Sequence, residues 1–134
     1  MIRDGGIEHE VVLAHPPERV WQALVDSGEL GSWLMPNDFR AEAGHRFFLD
    51  ARPDLGFIDG EVLEVKPPRL LRCRWSGAFG DTVLRIELTP DGGGTRLRLE
   101  HRGWKDEHPD YRGSFDDGWQ YKLTKDLPTL LANS

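Results

Sequence analysis

The side chains that could take part in acid–base chemistry are few and scattered. His101 is the only ionisable residue that alternation along its strand places on the apolar face of Leu97 and Leu99. A histidine in such a place can act as a general acid or base, because its ordinary pKa lies near neutrality. The same position suits a histidine that is hydrogen-bonded within a core. The sequence leaves both interpretations open.

Motifs for metal binding or nucleophilic catalysis do not occur in the sequence. No two histidines are spaced i, i+4 with an acid between them on one helix, as a zinc hydrolase would require. Ser32, Ser76 and Ser114 lack the Gly-x-Ser-x-Gly pattern of a nucleophile elbow. Cys73, the single cysteine, excludes an internal disulfide, and its apolar strand neighbours predict an inert buried thiol. We therefore expect no metal and no cofactor.

Alternation of apolar and polar residues predicts an antiparallel sheet with one covered and one solvated face. Near Val62 the alternation changes phase, which predicts a β-bulge. In the last three segments, arginine and glutamate occupy the solvated positions. The predicted strands are Ile7–Leu13, Phe39–Ala43, His45–Ala51, Phe57–Val65 and the segments 71–75, 84–88 and 97–101. The sequence thus predicts a curved sheet of about seven strands.

Helical patterns occur near both ends of the chain. Two short helices are predicted after the first strand, one with Val20, Trp21 and Leu24 as its apolar face and one over Glu29–Leu34. A long helix is predicted from Gly118 to Leu131, with Gly113 and Gly118 flanking its start. Asp116 and Asp117 are expected in its first turn, where their charges complement the helix dipole. Trp104 and His108 are expected in the loop before the helix. Pro128 should kink this helix or end it near Leu127.

Length and composition restrict the class of protein. A chain of 134 residues with 38% hydrophobic and 30% charged residues suits one globular domain, here taken as 1–134. The net charge of −6 argues against nucleic acid as a partner. No apolar run approaches the roughly 20 residues that span a bilayer, and the polar residues 1–6 do not resemble a signal peptide. We expect a cytoplasmic protein, either a monomer or a homodimer, that does not insert into membranes.

Several motifs together resemble one known superfamily. The chain is similar to the SRPBCC, or START-like, helix-grip proteins, in the branch related to the activator of the heat-shock-protein-90 ATPase (AHSA-like), and the similarity covers residues 7–131. The resemblance implies an α+β fold in which the sheet wraps around a long C-terminal helix. The matching residues are Pro17–Leu24, Trp33, Gly60–Leu70, Trp75, Leu99–Gly103 and Gly118-Trp119.

The resemblance implies a cavity between the sheet and the C-terminal helix that binds hydrophobic molecules. Sites of this kind are largely apolar with few polar anchors. A core packed at native density would leave no such space, and the sequence does not decide between the two. The residues that alternation and helical spacing place around the space are Trp33, Leu34, Phe47, Leu49, Cys73, Trp75, Leu84, Ile86, Leu99, His101, Phe115, Trp119 and Leu123.

Three functions follow from this resemblance. The leading one is binding of a small hydrophobic or aromatic molecule, such as a lipid, without chemistry. The second is an enzyme of cyclase or hydrolase type that uses His101 as its general acid or base. The third is a co-chaperone-like interaction domain with a chaperone as partner, which rests on analogy with the branch.

Overall fold

The computed structural model describes residues 6–105 and 109–133, and it has a six-stranded antiparallel sheet of order β1-β6-β5-β4-β3-β2. The strands are β1 (Ile7–Leu13), β2 (Arg46–Ala51), β3 (Gly56–Lys66), β4 (Leu70–Gly77), β5 (Gly80–Asp91) and β6 (Gly94–Arg102). The helices are α1 (Pro17–Val25), α2 (Ser27–Trp33), α3 (Pro109–Tyr121) and α4 (Leu127–Ala132), with a π-helical segment, Lys122–Asp126, joining the last two. The predicted α+β helix-grip fold is confirmed.

One face of the sheet is covered and the other is solvated, as the alternation predicts. Leu84, Ile86 and Leu88 of β5 are buried against the helices. On the opposite face, arginines pair with acids of neighbouring strands, as in Arg98–Glu8 at 3.2 Å. Such exposed pairs add little stability, so burial of the apolar face dominates.

The sheet has six strands rather than seven because Phe39–Ala43 is not a strand. The side chain of Asn37 donates to the carbonyl of Met35 at 3.0 Å and accepts from the amide of Phe39 at 2.9 Å. Asp38 accepts from the amide of Phe48 at 2.8 Å. These side chains supply hydrogen bonds that a neighbouring strand would otherwise make, and the isolated bridge between Asn37 and Leu49 lies just before the segment.

The predicted bulge in β3 is confirmed. Pairing of β3 with β4 shifts register between Val62 and Glu64, so Leu63 is the extra residue. With Leu63 as the extra residue, Val65 pairs with Leu71 and returns to the covered face that Gly60 and Val62 share. Gly60 lies against the ring of Phe47, and a Cβ there would overlap the ring. The bulge therefore sets which residues of β3 face the core.

The C-terminal helix begins earlier than the sequence indicates. It starts at Pro109, so Gly113 and Gly118 lie inside it and do not flank its start. Asp116 and Asp117 are mid-helical, and the predicted dipole role is therefore wrong. Asp116 instead binds Nε2 of His9 on β1 at 2.7 Å. The glycines weaken the helical pattern in the sequence, but burial of Phe115 and Trp119 beside them offsets their low propensity. His108 lies outside the described residues.

The predicted end of the helix at Leu127 is also wrong. In the π-helical segment the amide of Leu127 donates to the carbonyl of Lys122, five residues back. The wider turn admits Pro128, which has no amide hydrogen, and α4 continues to Ala132. Leu127 and Leu131 are buried where α4 meets α1. Within the described residues, the helices are too short or too polar to span a bilayer.

Candidate functional site

An open cleft of about 710 Å³ lies beside the C-terminal helix. Its walls come from the end of α2, the turn between β2 and β3, and one face of the C-terminal helix. Trp75 of β4 reaches the cleft between these elements. Its lining residues are Leu34, Met35, Ala51, Arg52, Asp54, Leu55, Trp75, Tyr111, Ser114, Phe115, Gly118, Trp119 and Lys122. The cleft is thus mostly apolar with a few charged groups.

Aromatic rings form the inner wall of the cleft. The ring centroids of Trp75 and Trp119 are 5.6 Å apart, and those of Trp75 and Phe115 are 6.4 Å apart. All three side chains are at least nine-tenths buried, so packing on their inner sides fixes the rings. A ligand in the cleft would meet only the small exposed parts of these rings, which are fixed in place and so lose little entropy on contact.

Four of the residues predicted for the site line this cleft: Leu34, Trp75, Phe115 and Trp119. The space above the sheet centre is instead almost filled. An apolar space of about 30 Å³ remains there, roughly the volume of one water molecule. It is lined by the predicted residues Trp33, Phe47, Leu49, Cys73, Leu84 and Ile86, together with residues of the cleft wall.

Leu99, His101 and Leu123 line neither space. Leu99 and His101 are fully buried in β6, and Leu123 is 1% exposed in the π-helical segment. Their contacts are with other core side chains. The three residues that were predicted to surround a ligand-sized cavity are thus placed within the core, away from the cleft.

Both ring nitrogens of His101 are hydrogen-bonded. The indole N–H of Trp119, which can only donate, points to Nδ1 at 3.1 Å. Nε2 therefore carries the proton and donates to Oγ1 of Thr82 at 2.8 Å, and that hydroxyl donates to the carbonyl of Trp75 at 3.0 Å. This chain of bonds fixes one neutral tautomer.

The surroundings of His101 keep it neutral. Burial lowers the pKa of His101 to about 3, because the charged form would lose its hydration without gaining an ionic partner. The ring is 0% exposed and does not reach the cleft. The role of general acid or base that the sequence left open for His101 has no geometric basis. Thr82 was not predicted as the partner of His101. It could have been found, because it lies two residues before Leu84 and therefore on the same covered face of β5.

Trp104 lies in a loop, as the sequence predicts, and its side chain packs with the same aromatic residues. Its indole donates to the carbonyl of His101 at 2.8 Å, and its ring centroid lies 4.6 Å from that of His101. It is 8% exposed and also packs on Phe115 at 5.0 Å. The cluster formed by Trp75, His101, Trp104, Phe115 and Trp119 is therefore a packed support behind the cleft.

Cys73 is the buried thiol that the sequence predicts. Burial raises the pKa of Cys73 to about 12, so it does not supply a thiolate. Among residues 6–105 and 109–133, no group of histidine, cysteine and acidic side chains is arranged to hold a metal ion. The cleft therefore offers apolar surface, hydrogen-bonding groups and charge.

The residues of the cleft that lie on turns and on the outer face of the helix were not predicted from the sequence. The turn that supplies Arg52, Asp54 and Leu55 has no periodic pattern to indicate which way its side chains point. Gly118 and Lys122 could have been found, because they are spaced i+4 on one helical face.

The sheet, the C-terminal helix and the short helices between β1 and β2 define a protein of the helix-grip class. The sequence model of the family described as "Activator of Hsp90 ATPase homolog 1-like protein" matches residues 14–132, and the chain belongs to this family. This family is an AHSA-like branch of the SRPBCC superfamily, as the sequence predicts. A comparison with the curated proteins finds no significant match.

Solved structures agree with this assignment. The chain is similar to protein MLL2253 from Mesorhizobium loti, with 34% identity, a TM-score of 0.90, and coverage of 96% of this chain and 98% of that chain. It is also similar to protein BH1534 from Bacillus halodurans, with 29% identity, a TM-score of 0.82, and coverage of 94% and 96%. The Aha1 dimer from Colwellia psychrerythraea shares the fold at 20% identity, with a TM-score of 0.78 and coverage of 92% and 91%.

Proposed function

We propose that this protein binds a small hydrophobic or aromatic molecule in the cleft beside the C-terminal helix and carries out no chemistry on it. The cleft volume of about 710 Å³ carries this proposal, because it lies within the range of roughly 300–1,000 Å³ typical of small-molecule sites. The single cysteine gives no disulfide framework of the kind that small secreted domains use, so we place this activity in the cytoplasm.

The distribution of space supports binding in the cleft over binding beneath the helix. The cavity above the sheet centre holds about 30 Å³, which is too small for an organic ligand. The open cleft instead has buried rings as its inner wall and exposed residues such as Ser114 and Gly118 at its rim. A ligand would remove apolar surface from water there without displacing core side chains, and that burial would supply the affinity.

Gly118 provides a direct test of the cleft. A Cβ at Gly118 would meet nothing within 4 Å, so a larger side chain would occupy ligand space without disturbing the core. We expect Gly118→Phe to weaken binding of the neutral fluorescent probe N-phenyl-1-naphthylamine by about 30-fold, equivalent to about 2 kcal/mol. Titration of probe fluorescence, with energy transfer from Trp75 and Trp119, measures this.

Gly113 gives a matched control for that experiment. It lies on the same helix, a Cβ there would also meet nothing within 4 Å, and it does not line the cleft. Gly113→Phe should therefore leave probe affinity within about two-fold of the original. Equal losses in the two variants, or no saturable probe binding in the unmodified protein, would show that the cleft is not a binding site.

A second candidate function is that of an interaction domain for an Hsp90-type chaperone. The family description suggests it, and the aromatic pair Phe48 and Phe57 favours it. The two rings contact at 5.9 Å on the outer face of the sheet and are 38% and 50% exposed. The double variant Phe48→Ser with Phe57→Ser should abolish stimulation of an Hsp90 ATPase while leaving probe binding intact. An ATPase rate that the unmodified protein does not change would exclude this candidate.

A further inference from the structure

Two cationic side chains reach the cleft from opposite walls. Arg52 comes from the turn between β2 and β3, and Lys122 comes from the first residue of the π-helical segment. The carboxylates that pair with them, Asp50 and Asp126, are not among the residues that line the cleft. Asp54 is the one carboxylate of its lining. Toward a ligand, the described lining therefore presents more positive than negative charge.

Arg52 is held in a fixed orientation from behind. Its Nε and Nη2 donate to the two carboxylate oxygens of Asp50 at 2.9 and 2.8 Å, and its backbone amide donates to the same group at 3.1 Å. The guanidinium also lies 4.6 Å from the ring centroid of Phe57. These bonds occupy one edge of the planar group. A second edge, with Nη1, remains to donate to an anion.

Lys122 is held more loosely. Its Nζ lies 2.9 Å from Oδ2 of Asp126, an i, i+4 pair in which both side chains are about one-third exposed. Such pairs contribute little, and an ammonium group has three donors, so Lys122 can bind a ligand oxygen while retaining or releasing Asp126. Lys122 is also one helical turn beyond Gly118, so it lies at the end of the ligand space that Gly118 leaves open.

We propose that the molecule bound in the cleft is an aromatic or alicyclic monocarboxylic acid. Its ring would lie against the apolar lining, which includes the exposed parts of Trp75 and Trp119, and its carboxylate would be bound by Arg52 and Lys122. This inference rests on the proposed binding function and specifies its ligand class. Charge-assisted hydrogen bonds at the edge of an apolar site orient a ligand that has one charged end and one apolar end. A single charge fits best, because Asp54 would repel a more highly charged group.

The test compares two nearly isosteric ligands that differ in charge. 1-Naphthaleneacetate and 1-naphthaleneacetamide compete with N-phenyl-1-naphthylamine, which reports occupancy of the cleft. At neutral pH the first is ionised and the second is neutral. We expect the acid to displace the probe at about one-tenth of the concentration that the amide requires, because it alone makes charge-assisted bonds.

Variants assign this preference to the two cations. Lys122→Gln and Arg52→Gln should each reduce the acid-to-amide ratio to about three-fold or less, whereas Lys122→Arg should preserve it, since the charge remains. Lys125→Gln removes the same charge from the same π-helical segment, and Lys125 does not line the cleft. It should leave the ratio unchanged. Thermal melts of each variant establish that it folds, and binding of the neutral probe establishes that the cleft is intact.

The two proposals fail in distinguishable ways. If the probe binds but the acid and the amide displace it equally, the carboxylate site is wrong and the apolar cleft stands. If Lys125→Gln lowers the ratio as much as Lys122→Gln, the preference reflects general charge, and the assignment to Arg52 and Lys122 is overturned. If the probe does not bind the unmodified protein, both proposals are wrong.

Discussion

The free energy of unfolding should fall by up to about 5 kcal/mol as the pH is lowered from about 6.5 toward 3, on account of His101 alone. Burial lowers the pKa of His101 in the folded protein to about 3, below its ordinary value of 6.5. Between these values the unfolded chain binds a proton that the folded chain does not. The contribution of neutral His101 to the free energy of unfolding is complete above pH 6.5. It is lost as the pH falls below that value, at about 1.4 kcal/mol per pH unit.

Urea melts of the unmodified protein and of His101→Gln over this pH range measure the difference. Carboxylates also titrate in both proteins, so the slopes of unfolding free energy against pH must be compared with each other. The slope of the variant should be shallower by about 1.4 kcal/mol per pH unit. If His101→Gln does not fold, the ring resonances of His101 in the unmodified protein still decide, because they should not shift between about pH 8 and about pH 5. A midpoint near neutrality would contradict the buried neutral tautomer.

The neutrality of His101 connects the core to the cleft. Trp119 donates its indole N–H to His101 and presents its ring to the ligand space. Because the hydrogen bond fixes the orientation of the ring, the buried network through Thr82 and Trp75 supports the shape of the cleft. His101 therefore acts as a structural residue behind the cleft.

The sheet was largely predictable because its signal is local. Alternation along β4, β5 and β6 identifies the covered face residue by residue, and the change of phase at Val62 identifies the bulge. These patterns reflect which side chains lose contact with water, a property that the sequence carries directly. The family resemblance adds the order of the elements, which alternation alone does not contain.

The errors in the prediction fall where tertiary contacts override local preference. Phe39 is buried, as a strand residue would be, but its segment is held by the side chain of Asn37. The start of the last helix was misplaced because Gly113 and Gly118 break the helical pattern. The cleft depends on how far the β2–β3 turn lies from that helix, and no spacing of residues in the sequence encodes such a distance.

Truncation of Trp21 should produce a comparably large loss of stability. Trp21 is 8% exposed on α1, which packs on α4, β5 and β6. The apolar face of this short helix consists of Trp21 and the buried Val20, Ala23 and Leu24, so the indole supplies a large part of its docking surface. Trp21→Ala should lower the unfolding free energy by about 3–5 kcal/mol, measured by denaturant melts at neutral pH.

Tyr121 provides the matched control for this loss, because it is also a large aromatic residue on a helix but is 59% exposed. Tyr121→Ala removes a ring that is already largely in water and gains helix propensity, so it should change stability by less than about 0.5 kcal/mol. The contrast separates burial from aromatic size. A loss below about 1 kcal/mol for Trp21→Ala would mean that α1 retains its docking without the indole. The docking of α1 would then depend on Val20, Ala23 and Leu24.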